Sequence, residues 1–211
     1  MNIIDLLKQK TIKIPWKKYY NKDELKFKVE DISIYEMFKR SALKNMNSPA
    51  VNYYGNVFSY KSFLSKIDKA AISFNSIGVK KGEVVTICMP NTPEAILMFY
   101  AANMVGAIVS LIHPLSAEKE IQNYINGSGA TFLLSLDLVY DKVHNIVDNT
   151  CVKKIVIASA SDSLKTIKKF LYKFKNRGTV PKIELTDDIM TWNEFLNYGY
   201  NYQGEIACLK S

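Results

Sequence analysis

Between Val84 and Lys175, short apolar runs and longer amphipathic runs alternate in strict turn. That alternation narrows the fold of this chain more than any other feature. The apolar runs are Val84–Cys88, Ile108–Ile112, Phe132–Leu136 and Lys154–Ala158. They are short and nearly continuous in apolar residues, the pattern of strands covered on both faces. The intervening runs, Pro93–Val105, Ala117–Asn126, Leu138–Asp148 and Ser163–Lys175, read as helices. Strand and helix in turn imply right-handed crossovers. The predicted class is therefore α/β: an open, doubly wound, mostly parallel sheet flanked by helices. Local punctuation agrees. Thr92-Pro93-Glu94 reads as N-cap, first helical position and first-turn acid, and Gly106 as a helix stop. Asp137 and Ser116 sit where further N-caps belong.

Upstream, Ile34, Met37, Phe38, Ala42 and Leu43 share a helical face. Ala50–Tyr54 and Val57–Tyr60 flank Gly55-Asn56, which predicts a small N-terminal β-hairpin. A helix follows from about Tyr60, with Phe63, Leu64, Ile67, Ala70, Ala71, Phe74 and Ile77 at helical spacing. Ser59 can cap its start and Gly78 its end. Residues 1–30 are basic and aromatic around Pro15-Trp16-Lys17-Lys18-Tyr19-Tyr20, and read as an irregular arm packed across the main body formed by residues 31–211. From Arg177 onward the pattern weakens, with a short strand expected near Ile183 and a short helix at Trp192–Leu196.

The chain has 211 residues, of which 48% are hydrophobic and 23% charged, and a formal charge of +8. This excludes a disordered or collagen-like chain and is long enough for a real core. Cys88, Cys151 and Cys208 are odd in number and lack metal-ligand spacing, so a disulfide framework and a zinc site are not expected. Free thiols fit a reducing, cytoplasmic setting. Residues 1–10 lack the apolar stretch of a signal peptide. Ala95 to Ile112 carries no charge and is long enough to be considered as a membrane span, but the helix-start signals, Asn103 and Gly106 divide it into a buried helix and a buried strand.

Nothing in the residues forms a self-contained catalytic motif. There is no G-x-S-x-G, no G-x-x-x-x-G-K-[ST] and no G-x-G-x-x-G. Gly127-Ser128-Gly129 runs from helix into strand, the wrong direction for a phosphate cradle. Of the two histidines, His113 lies just past a strand's carboxyl end, where open α/β sheets collect ligands. A polar loop residue is the simpler account of it. His144 falls on a helix surface. Glu118 and Glu120 suit a helix first turn, and Asp187-Asp188 reads as a solvated pair. Lys165, Lys168, Lys169, Lys173, Lys175 and Arg177 crowd one helix, whose apolar stripe is Leu164, Ile167, Phe170, Leu171 and Phe174. Such a helix can serve an anionic membrane or polyphosphates. The expected arrangement is the stripe docked on the body with the lysines in water. No nucleic-acid-binding motif accompanies the charge.

One run narrows the reading further. Ile77-Gly78-Val79-Lys80-Lys81-Gly82-Glu83-Val84-Val85-Thr86-Ile87-Cys88-Met89-Pro90-Asn91-Thr92-Pro93-Glu94 resembles the "lGVkkGD-V-i-mPN-pE" segment of the AMP-forming acyl-adenylate ligases. Other pieces follow in that family's order. They are Ser33 to Met37, Ser59-Tyr60-Lys61-Ser62-Phe63, Gly106 to Val109, His113-Pro114-Leu115-Ser116-Ala117-Glu118-Lys119-Glu120-Ile121, Ser128 to Ala130, and Asp137. Pro15-Trp16 and the His113 to Ile121 step look most like fatty-acyl-CoA ligases. Ser62, where the family prefers Glu, and His113, where Asn is common, depart from the pattern.

The resemblance implies a two-step reaction. A carboxylate attacks the α-phosphate of Mg-ATP to give acyl-adenylate and pyrophosphate, and the thiol of CoA then displaces AMP. It implies a phosphate loop like S-G-G-T-T-G-x-P-K-G, of which Ser211 is expected to be the first residue. No other cofactor-binding, catalytic or metal residue is expected in this chain, whose relatives should be more than twice as long. The expectation is an N-terminal subdomain truncated before the phosphate-binding loop. Such a fragment is expected to be inactive alone and to hold no ATP, Mg or CoA. Its partners would be the remainder of the ligase chain and a second copy through an exposed apolar face, with no nucleic acid and at most a peripheral membrane contact. The alternative is a non-catalytic nucleotide- or CoA-binding domain, or a membrane-surface interaction domain.

Overall fold

The computed structural model describes residues 15–26, 28 and 30–200. The chain divides into a small unit, Met1–Asp31, and a larger one, Ile32–Ser211. In the small unit the described residues form two short 3-10 helices, Pro15–Tyr19 and Glu24–Lys26. Trp16 meets Tyr20 edge to face at 5.6 Å. Asn21 Oδ1 accepts from the backbone N–H groups of Asp23 and Glu24 and starts the second helix.

The larger unit runs α1 (Ile34–Lys44), β1 (Pro49–Tyr53), β2 (Asn56–Ser59), α2 (Tyr60–Ser76), β3 (Val84–Cys88), α3 (Pro93–Met104), β4 (Ile108–Leu111), α4 (Glu118–Ser128) and β5 (Phe132–Leu136). It continues through a 3-10 turn (Asp137–Val139) to α5 (Tyr140–Val147), β6 (Lys154–Ala158), α6 (Thr166–Lys175), β7 (Ile189–Thr191) and α7 (Trp192–Tyr200). Strands β1 and β2 form the antiparallel hairpin. Its corner is Tyr54-Gly55, with φ of 50° and 84°, one residue earlier than the Gly55-Asn56 expected from sequence. Two positive φ angles make a turn whose twist matches the strands. Asn52 Oδ1 holds it by accepting from Gly55 N at 2.9 Å.

The other five strands form one parallel sheet in the order β4-β3-β5-β6-β7. Alternation along each strand separates two cores. Val85, Ile87, Phe132, Leu134, Val156 and Ala158 face one core, with residues of α1, α2, α3 and α7. Cys88, Leu133, Ile155 and Ile157 face the other, with Ile121 and Ile125 of α4 and Val143 and Ile146 of α5. Phe74, Phe132 and Phe195 meet at 5.0, 5.3 and 5.9 Å between ring centres and bind α2, β5 and α7 together. The uncharged stretch from Ala95 to Ile112 is α3 and β4, but β4 is a half-exposed edge strand and not the buried one expected. No helix among the described residues is long and apolar enough to cross a membrane.

Caps work as the residue types demand. Ser59 Oγ accepts from Ser62 N, and Thr92 Oγ1 from Ala95 N. At the end of α2, Gly78 N donates to Asn75 O and Val79 N to Phe74 O, the paired bonds of a left-handed helix stop.

Several expectations are corrected. Ser116 is not the cap of α4: Ala117 occupies that position, and Glu120 Oε2 reaches back to accept from its N–H at 3.2 Å. Asp137 opens a 3-10 turn before α5 and accepts from Leu138 N at 2.8 Å. On α1, Ile34, Met37 and Leu43 are exposed, while Tyr35 and Ala42 are buried. Phe38 stacks on Tyr100 at 4.3 Å, and Tyr35 Oη donates to Asp68, so aromatic contacts turn the helix away from its aliphatic residues. The strand expected near Ile183 lies instead at Ile189–Thr191, and the last helix reaches Tyr200. Helix α6 has no buried residue, so its stripe is not docked on either core.

Candidate functional site at the carboxyl edge of the sheet

In a parallel sheet, residues just past the strands' carboxyl ends converge on one edge. Here the chain leaves β3 toward β4 on one side and returns to β5 on the other, so strand order reverses at β3, the kind of switch point beside which open α/β sheets take ligands. Glu94, in the first turn of α3, is 1% exposed. Its Oε1 accepts a 2.5 Å hydrogen bond from Ser163 Oγ, while Oε2 is buried without a partner. After β6 the loop folds on itself. Asp162 Oδ2 accepts from Ser159 N at 2.8 Å, Asp162 Oδ1 pairs with Lys169 Nζ at 3.4 Å, and the Ser159 and Ser161 hydroxyls bond at 2.9 Å. The hairpin braces this loop, because Tyr53 Oη donates to Ala160 O at 2.8 Å and Asn56 Nδ2 to Ser163 O at 2.7 Å.

Electrostatics at this edge are set by burial. Desolvation raises the Glu94 carboxyl above its ordinary range against the lowering hydrogen bond from Ser163. Desolvation raises Asp137 as well, with Asp162 adding repulsion. Burial, then the neighbouring Glu94, pushes the Tyr53 phenol up to about 12. Burial pushes the Cys88 thiol up to about 11, so it stays protonated and unreactive at neutral pH. Beside these groups a cleft of about 340 Å³ opens between Asp137, Ser159, Asp162, Tyr172, Lys173 and Arg177.

Glu94 bonded to the Ser163 hydroxyl, and Asp137 bonded to that of Ser159, make a latch between α3, the end of β5 and the loop after β6. A triphosphate needs converging N–H donors and cations. The turns after β5 and β6 place Asp137 and Asp162 at this edge, with Lys173 and Arg177 beside them in the cleft, and Glu94 lies buried in the first turn of α3. Among the described residues, no cluster of three or more His, Cys, Asp or Glu can hold a metal ion.

His113, the histidine placed for function, is exposed, and its Nδ1 accepts from Leu115 N at 3.2 Å, closing its own turn. His144 is exposed on α5, as expected. Glu118 accepts from Asn145 Nδ2 at 3.3 Å, and Asp188 pairs with Lys154 at 2.7 Å. Ser211 lies outside the described residues. In the sequence Glu94 reads only as a helix-start acid and Ser163 only as the start of a run. Their shared signal was position: each follows closely on a predicted parallel strand.

The AMP-binding enzyme family matches residues 38–191 of this chain. A long-chain-fatty-acid–CoA ligase of Escherichia coli O6:H1 is 28% identical over 177 residues, covering 81% of this chain and 31% of that protein. Among solved structures, coronafacic acid ligase from Pectobacterium brasiliense superposes with a TM-score of 0.65 at 20% identity, over 82% of this chain and 31% of that one. An anthranilate CoA ligase in complex with anthranoyl-AMP gives 0.63 at 14% identity, over 79% and 28%. This chain thus spans about a third of the length of those relatives. The matched residues begin in α1 and end at Thr191, the last residue of β7, and so take in the whole parallel sheet. This chain belongs to the AMP-binding enzyme family.

Proposed function

We propose that this chain is the N-terminal α/β part of an AMP-forming acyl-CoA synthetase that acts on a fatty acid. The observation that carries the reading is the coincidence of the family match with the complete five-stranded sheet. The fatty-acid class rests on the long-chain ligase relatives. In the longer protein, ATP, Mg and CoA would serve the two-step reaction, and no residue at the carboxyl edge described above is assigned a step in it. The proposed division is a basic arm over residues 1–30 and a subdomain over 31–211, with Ser211 opening the phosphate loop. The cytoplasm is the proposed compartment, in keeping with free Cys88 and Cys151.

The sheet supports this assignment at its outer strand. In β4, Ile108 and Leu111 are 56% and 68% exposed, and Leu115 beyond it is 76% exposed. The outer side of β4 pairs with no strand among the described residues. We place the remainder of the ligase, or a second copy when this chain is alone, against that edge.

The test is product analysis with a polypeptide joining this chain to the remainder of its ligase. Fatty acid, Mg-ATP and CoA should yield acyl-CoA with AMP and pyrophosphate. Formation of ADP and phosphate instead would reject the reading.

A further inference from the structure

Helix α6 turns its most apolar face away from everything described. Ile167, Phe170, Leu171 and Phe174 are 78%, 69%, 59% and 69% exposed. Their spacing of i, i+3, i+4 and i+7 puts them on one side. The opposite side is the one that docks. Tyr172 and Asn176 are half-buried, Lys168 Nζ donates to the Tyr54 carbonyl at 2.6 Å, and Lys169 Nζ pairs with Asp162 at 3.4 Å. The contacts that hold the helix are thus the ones that present its stripe.

Charge decides what the stripe can meet. No carboxylate occurs between Asp162 and Glu184, whereas Lys165, Lys173, Lys175 and Arg177 are all exposed around the helix. A second copy laid on the stripe would bring like charges together. A nucleic acid would satisfy the cations and leave two phenylalanines, an isoleucine and a leucine facing water. An anionic bilayer satisfies both: apolar side chains enter the acyl–headgroup boundary and the cations stay at the phosphates.

We propose that α6 is a membrane-docking helix whose Ile167/Phe170/Leu171/Phe174 face inserts into the interfacial layer of an anionic lipid bilayer. The assignment does not depend on the ligase reading. The helix lies in the membrane plane; at ten residues it is about 15 Å long and does not span.

The experiment is co-sedimentation of the 211-residue chain with phosphatidylcholine vesicles containing roughly 30% phosphatidylglycerol, against vesicles of phosphatidylcholine alone. Binding should need the anionic lipid and fall between about 50 mM and about 500 mM salt. K173E/K175E should weaken it by about tenfold or more, since each basic residue near the surface contributes about 1 kcal/mol. F170S/F174S should weaken it comparably. Both variants change exposed side chains only, and unchanged melting curves would confirm that they fold. A tryptophan introduced as Phe170→Trp should shift its emission to the blue on the anionic vesicles. Three results would overturn the proposal: no anionic-vesicle binding, binding that survives F170S/F174S, or a stripe substitution that breaks a dimer while vesicle binding is unchanged. None of these results touches the product analysis that tests the ligase reading.

Discussion

Ser163 Oγ donates a 2.5 Å hydrogen bond to Glu94 Oε1, joining the loop after β6 to the first turn of α3 across 69 positions of sequence. Glu94 is almost wholly buried, and its other oxygen has no partner. Ser163→Ala removes a donor from a buried acid that water cannot reach. The expected cost is about 1–3 kcal/mol, read as a lower urea midpoint with an unchanged slope.

The same carboxyl makes stability depend on pH. Burial raises the Glu94 group, and likewise Asp137 and Asp68, above their unfolded values. The folded state then binds protons more tightly than the unfolded state. Stability from these groups is full in acid, below the unfolded carboxyl range, and is lost as pH rises through the raised folded values. Glu94→Gln has no proton to lose at this position. Denaturation across the acid-to-neutral range should therefore show a shallower decline for E94Q than for the parent. An equal or steeper decline would contradict the assignment.

Gly199 sits where α7 crosses α2. A Cβ built there would lie 2.8 Å from Lys69 O and 2.9 Å from Ser73 Oγ. Helix propensity favours Ala over Gly by about 1 kcal/mol. Here the close approach outweighs that preference, because backbone cannot give way as a flexible side chain can. Gly199→Ala should destabilise by about 1–3 kcal/mol in urea or thermal unfolding.

The β4 edge predicts concentration-dependent association of the chain by itself. Leu111 is 68% exposed on a strand whose outer hydrogen-bonding groups face no other described strand. Leu111→Lys places a charge on that edge and should shift sedimentation toward the monomer without lowering the melting temperature. A parent chain that stays monomeric at high concentration would contradict the edge assignment.

Much of the scaffold was readable from sequence because its signals are local. Strands β3, β5 and β6 occupy the predicted residues, since a continuous apolar run bounded by turns has few other uses. Helices α2 and α3 begin just after Ser59 and Thr92 because each cap bonds a backbone N–H three residues on. What was not readable depends on distant partners. The face that α6 presents is settled by the Tyr54 carbonyl and Asp162, and an apolar stripe alone does not say whether it points in or out. β7 is three residues long, too short for a period to show. The carboxyl-edge latch pairs Glu94 with Ser163, which sit at the starts of two different predicted helices and signal nothing to each other along the chain.

Fatty-acid-dependent exchange of labelled pyrophosphate into ATP tests the central claim most directly. The proposal predicts exchange from a polypeptide that joins this chain to the remainder of its ligase, and none above background from the 211 residues alone. Robust exchange by the 211 residues alone, or none from the joined polypeptide in its folded state, would contradict it.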